Sequence, residues 1–236
     1  MEQLITNPLF SILLTLLAFE IGMAIFKKTK FPLFNPLLIA IAFVIAVLLI
    51  FKINYQTYND GGKFINSFLG PATVVLAVPL YKQLESLKEN LWPILIGIFV
   101  GTFASVSCVI ILGKLLGVDT PLIASLVPKS VTTPIGVEVA SSLGGICPIT
   151  IVAIIITGIT GSITAPIICK LFRIHDEVAV GISIGTSSHA VGTTKAFEFG
   201  ETHGAMSSLS IGVAGLMTVF LAPPIFMIAS KLLNLV

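Results

Sequence analysis

The chain has 236 residues, of which 56% are apolar and only 24 charged: 13 Lys and Arg, 11 Asp and Glu. Soluble domains carry about 25% charged residues, and a mean hydropathy of +1.07 leaves too little polar surface to face water. Those figures exclude a soluble enzyme, a disordered segment and a nucleic-acid binder, and define an integral membrane protein. A net charge of +2 with scattered basic residues gives no polyanion-binding patch.

At roughly 20 to 25 residues per crossing, the apolar material predicts an all-α polytopic bundle of about six to eight membrane elements. No stretch is polar enough for a separate aqueous domain, so 1–236 reads as one membrane domain in the cell membrane. Glu2 stands where a signal peptide needs basic residues, and no small-x-small site precedes Lys27, Lys28 and Lys30. The first apolar segment is therefore expected to stay in the protein.

The first predicted span covers 8–26, with Glu20 inside it and the lysines closing it. A second span covers 33–51, and the polar run 54–62 reads as a loop. The apolar stretch 64–80 is interrupted by Gly70, Pro71 and Pro79, which makes it a thin span or a hairpin. A long span follows over 91–117.

Segment 121–143 changes character. Pro128 and Pro134 flank a run of hydroxyls and should break any helix there, and Gly144-Gly145 ends the element. A continuous apolar helix returns over 146–171. The segment 178–200 is interrupted a second time, by Gly185-Thr186-Ser187-Ser188-His189 and the glycine, threonines and lysine that follow. A last span covers 205–233, bent at Pro223-Pro224.

Segments 120–145 and 178–203 form a weak internal echo at an offset of about 58, each followed by an apolar helix. Repeats of this kind in carriers meet at a site near the membrane midplane. Charge bias places the triple-lysine loop in the cytoplasm. Keeping Lys170 and Arg173 inside as well requires one non-crossing element, either 64–80 or 121–143, a choice the sequence leaves open.

Polar groups and unwound backbone at membrane depth are tolerated only where protein or a water-filled cavity covers them. Both interrupted segments combine the two. Lys129, Ser130, Thr132 and Thr133 place an ammonium and three hydroxyls beside a helix break, whose free N–H groups attract anions; together they suit a small carboxylate. The plain structural alternative has Lys129 reaching to the interface and the hydroxyls bonding back to the chain.

In the companion segment Ser187, Ser188, His189, Gly192, Thr193 and Lys195 are candidates for ligand contact. Histidine donates to a carboxylate or exchanges a proton near neutral pH, Gly192 permits close backbone approach, and Lys195 adds a positive charge. Equally open is a buried structural histidine. Glu138 and Glu198 are candidates for coupling, through a proton or an ion pair; Glu198 lies three residues beyond Lys195, within pairing distance on a helix.

His175 reads as a solvated loop residue and His203 as interfacial. Cys108, Cys147 and Cys169 form no CxxC pair, so no metal site and no cofactor is expected, although coupling to protons or sodium is compatible with the hydroxyl-rich runs. No nucleophile, base and orienting group fall together, and the chain is not expected to be an enzyme.

The run from Ser125 through Pro128-Lys129-Ser130-Val131-Thr132-Thr133-Pro134 to Glu138, followed by Gly185 to Ala196, resembles the LrgB/CidB family of bacterial membrane proteins. The likeness covers nearly the whole chain. Lys195 stands where many relatives carry arginine, a change that keeps the charge and alters how a carboxylate would be held.

The resemblance implies a carrier of a small monocarboxylate of the pyruvate, glycolate or lactate class, working with an LrgA/CidA-like small membrane protein. It equally implies the alternative of an antiholin-like regulator of murein hydrolases and cell lysis. The two broken segments favour the carrier, because a holin-like pore needs only one or two simple oligomerising spans. A homo-oligomer is compatible with either reading.

Overall fold

The computed structural model describes residues 7–29, 34–68, 71, 74, 75, 77–82 and 84–233. These form two compact units, Met1–Val75 and Leu76–Val236.

In the first unit, α1 (Pro8–Thr29) pairs with α2 (Pro36–Ile50) and α3 (Tyr55–Asn66). Pro8 and Pro36 open their helices at positions where a missing N–H costs nothing. Leu14 and Ala18 of α1 pack on Ala40 and Val44 of α2. The loop expected at 54–62 is instead most of α3. The Asn54 side chain caps it by accepting the Gln56 N–H at 2.8 Å, a standard helix start. Tyr58 on its buried side then shares a 2.8 Å hydrogen bond with Thr15. Segment 64–80 lies partly outside the described residues.

The second unit contains α4 (Ala77–Lys82), α5 (Leu84–Glu89), α6 (Leu91–Leu115), α7 (Thr120–Leu126), α8 (Thr133–Ser142), α9 (Cys147–Leu171), α10 (Glu177–Phe199) and α11 (Glu201–Leu232). Across the described residues, four helices are long and apolar enough to cross a membrane: α1, α6, α9 and α11. That number corrects the expected six to eight. α2 is a shorter apolar helix, and both interrupted segments fold back on themselves. Large apolar side chains such as Ile96, Phe99, Phe103 and Ile111 point outward, as a lipid-facing surface requires. The protein is a multi-pass membrane protein.

The first fold-back is α7–α8. Pro128 and Pro134 interrupt the helix over 127–132, so each arm is only about 10 to 15 Å long. Its two ends are stapled together by Ser125, whose Oγ accepts the Ile146 N–H at 2.7 Å and whose hydroxyl donates to the Pro121 carbonyl at 2.7 Å. Gly145 lies against the backbone of Ala124 and Ser125. The chain therefore leaves on the side where it entered, and 121–143 does not cross.

Ser125 is fully buried, so Ser125→Ala strands the Ile146 N–H. An unpaired buried donor costs about 1–3 kcal/mol, and thermal unfolding of the variant is expected several degrees below wild type. An unchanged transition would show that the staple carries no load.

The second fold-back lies within α10. His189 has φ 43° and ψ −140°, and the chain reverses there. Ala196 of the second arm clusters with Val180 and Ile184 of the first, against Ala165 and Cys169 of α9. Both arms also face one stretch of α11: Gly181 and Gly185 lie on His203 and Ser207, while Thr193 bonds Ser207 and Phe197 covers Gly204. Neither arm alone could cross, at about 16 Å.

The two hairpins enter from opposite ends. α6 and α9 each have 25 residues and begin 56 positions apart, at Leu91 and Cys147. The hairpins that follow begin 57 apart, at Thr120 and Glu177. Each of these pairs is an apolar helix followed by a hairpin. Ser105, which touches the first tip, and Gly158, which touches the second, both lie near the middle of their helices. The tips thus meet at mid-depth.

Candidate functional site

A cavity of about 930 Å³ lies between α6, α9 and the first arm of α10, and ends at the break 127–132. On α6 its wall is Asn90, Gly97, Gly101, Ser105 and Cys108; on α9 it is Thr157, Thr160, Gly161 and Thr164. On α10 it is Asp176, Ser183, Thr186, Ser187 and Ser188, and the break adds Lys129 and Ser130. These residues recur every three or four positions, so one face of each helix lines the space. The volume sits at the upper end for small-molecule pockets: it is a wide vestibule with a polar end.

Charge divides the cavity along its length. Asp176 stands at the mouth and caps α10, its Oδ1 accepting the Ala179 N–H at 2.8 Å. Lys129 stands at the deep end, with its Nζ donating to Ser130 Oγ at 3.2 Å. Ser130 shares a second 3.2 Å bond with Ser105, and Ser187 bonds Ser188 at 2.9 Å. Among the described residues no carboxylate lies within ion-pair distance of Lys129. An ammonium at this depth is expensive without a counter-charge.

Of the residues singled out in the sequence, Lys129, Ser130, Ser187 and Ser188 line this cavity. Thr132 caps α8 with its backbone and Thr133 begins that helix; neither lines the space. His189 is buried beside it. Its Nε2 lies 2.9 Å from the Ile154 carbonyl, which can only accept, so Nε2 carries the proton and ties the tip to α9. The Thr193 hydroxyl donates to the His189 carbonyl at 2.9 Å and accepts from Ser207 at 2.7 Å, which closes the break against α11. Gly192 is buried against Ile184 and Ser188.

Lys195 pairs with Glu198 on the second arm, away from the cavity, and Glu138 is exposed on α8. Sequence reasoning missed the hydroxyls of α6 and α9. Their signal was a stripe of Gly, Ser and Thr at helical spacing, diluted inside strongly apolar spans. Glycine is required at Gly158 and Gly161, where the second tip rests on α9. A Cβ on Gly158 would come within 2.7 Å of the His189 ring, and one on Gly161 would overlap the Ser188 side chain.

Two hairpins whose tips meet beside a cavity with a polar end define a helical, multi-pass membrane protein. The family model that matches is the LrgB-like family, over residues 15–228. The chain belongs to the LrgB-like family. It is 39% identical to the uncharacterised protein YxaC of Bacillus subtilis (strain 168), over 90% of this chain and 92% of that one. It is also 39% identical to the antiholin-like protein LrgB of Bacillus cereus (strain B4264), over 92% of this chain and 95% of the relative. The same figures hold for the antiholin-like protein LrgB of Bacillus anthracis (strain CDC 684 / NRRL 3495). No solved structure matches the chain.

Proposed function

We propose that this protein carries a small monocarboxylate of the pyruvate, glycolate or lactate class across the membrane. The observation that carries the reading is Lys129, a cation without a carboxylate partner among the described residues, at the deep end of a cavity where the two hairpin tips meet. The carboxylate would sit on the Lys129 ammonium, with Ser130, Ser187 and Ser188 as hydroxyl partners. A three-carbon acid fills only a fraction of the vestibule, and water accompanies it to the site.

Lys88, Lys170 and Arg173 flank in sequence Asn90 and Asp176, which line the cavity where α6 and α10 begin. Lys82 pairs with Glu201 at the start of α11, whereas Lys114 and Lys231 lie in the last turns of α6 and α11. The excess of basic residues supports a cytoplasmic mouth, and so an inward-facing state. Transport follows if the tips expose the Lys129 end to the opposite side in turn. In this reading His189 and Thr193 hold the tip rather than touch the substrate, and Glu138 and Glu198 are the remaining coupling candidates.

A second reading has its own support in the printed names of the relatives, which are antiholin-like. In it the chain regulates murein hydrolase activity together with an LrgA/CidA-like small membrane protein. Uptake into liposomes separates the two. The carrier reading expects saturable uptake of radiolabelled pyruvate, glycolate or lactate by the purified chain, alone or with that partner. Correctly inserted protein that moves none of the three in either preparation favours the regulator.

A further inference from the structure

Behind the first hairpin tip lies a second space, of about 10 Å³, room for a single water-sized body. It is bounded by Thr102 and Ser105 of α6, Thr186 of α10, Thr218 of α11 and Ser130 of the break. Thr102 and Thr186 are 4% and 8% exposed. Neither hydroxyl oxygen has a hydrogen-bond partner among the described residues.

Hydroxyls on α10 and α11 donate to the carbonyl four residues back, as Thr193, Ser210 and Thr218 do. Thr102 and Thr186 forgo that bond, and both border one space. Unpaired buried hydroxyls are costly, and each oxygen has lone pairs to offer. Among the described residues no carboxylate or imidazole borders the space, so none of those that do would exchange a proton near neutral pH. Five neutral hydroxyl residues border this space, beside Val106, Val127, Pro128 and Val131, and neutral hydroxyl oxygens around a space of this size suit a small cation stripped of its water.

We propose that this space binds one monovalent cation of sodium's size, held by the oxygens of Thr102, Thr186, Ser105 and Ser130. Ser105, Ser130 and Thr186 border the large cavity as well, and Ser130 also accepts the Lys129 ammonium. A cation here lies next to that ammonium and repels it until a carboxylate binds between them. Each ligand then favours the other by the same factor. This linkage rests on the carrier reading; the cation site itself does not.

The test is thermal unfolding of the purified full chain in sodium, potassium or choline chloride at equal ionic strength, with and without pyruvate. Sodium is expected to raise Tm by about 5 °C over choline at saturation, and pyruvate to lower the half-effective sodium concentration several-fold. Thr102→Val and Thr186→Val should each remove the sodium increment, while Thr102→Ser, which restores the hydroxyl, should keep it. Sodium acting no differently from potassium and choline in wild type, with or without pyruvate, would overturn the proposal and leave the space to water. A full sodium increment in both valine variants would overturn it as well. A sodium increment that pyruvate does not move would support the cation site and remove the carrier reading's linkage.

Discussion

Replacing Lys129 with alanine lowers kcat/KM for pyruvate uptake by about 100-fold or more, because a carboxylate held at membrane depth loses its counter-charge. Removing one partner of a buried ion pair costs about 3–5 kcal/mol, and 1.4 kcal/mol is tenfold. Lys129→Met should lose as much transport as Lys129→Ala while keeping or raising Tm, since it removes an isolated ammonium and preserves the stem's packing. Lys129→Arg keeps the charge and should retain part of the activity, because its planar fork cannot reproduce a point contact. Equal transport by wild type and the methionine variant, in matched proteoliposomes, would remove Lys129 from the substrate site.

Gly161→Val should displace the second hairpin tip, since the added side chain occupies the space that Ser188 fills. Overpacking of this kind costs about 1–3 kcal/mol, visible as a Tm several degrees lower. Because Ser188 lines the cavity, uptake should fall at least tenfold even where the variant still unfolds cooperatively. Ser188→Gly removes the colliding atoms, so the double variant should recover stability that Gly161→Val alone loses. Thermal melts of the four proteins measure the coupling. Additive effects would mean that the tip does not bear on Gly161.

Much of this arrangement is legible in the residues. Pro128 and Pro134, on either side of a hydroxyl run, mark the first break, whereas Pro166, Pro223 and Pro224 stay inside their helices; the Ser-, Thr- and Gly-rich run around His189 marks the second region. The reversal at His189 is not legible. A positive φ there falls on a residue that rarely adopts one, and its stability comes from the Ile154 carbonyl and the Gly158 and Gly161 surface, 28 to 35 positions away. The expected six to eight membrane elements included the two interrupted segments, and four helices among the described residues are long and apolar enough to cross.

Local signals were also misjudged at α3. Gly61 and Gly62 with Asn54 and Asn59 read as loop residues, but Asn54 is a cap and Tyr58 pays for the helix through its contact with Thr15. At the site, the polar end of the cavity was visible as Lys129 and Ser130. Thr102 and Ser105 were not, because one hydroxyl in an apolar span usually bonds to its own helix, and Thr186 stood out only as part of the interrupted run. Only their convergence across three segments gives them meaning.

Cys108 lines the cavity with Lys129 and is exposed, which provides a native reporter of the substrate site. The most direct measurement is the rate at which a small thiol reagent labels Cys108 in the purified protein as pyruvate is titrated, with Cys147 and Cys169 replaced by serine. The account predicts saturable slowing of labelling by several-fold in the Lys129 background and none in Lys129→Met. Labelling unaffected by pyruvate, glycolate or lactate in a protein that still transports them would place the substrate elsewhere and contradict the account.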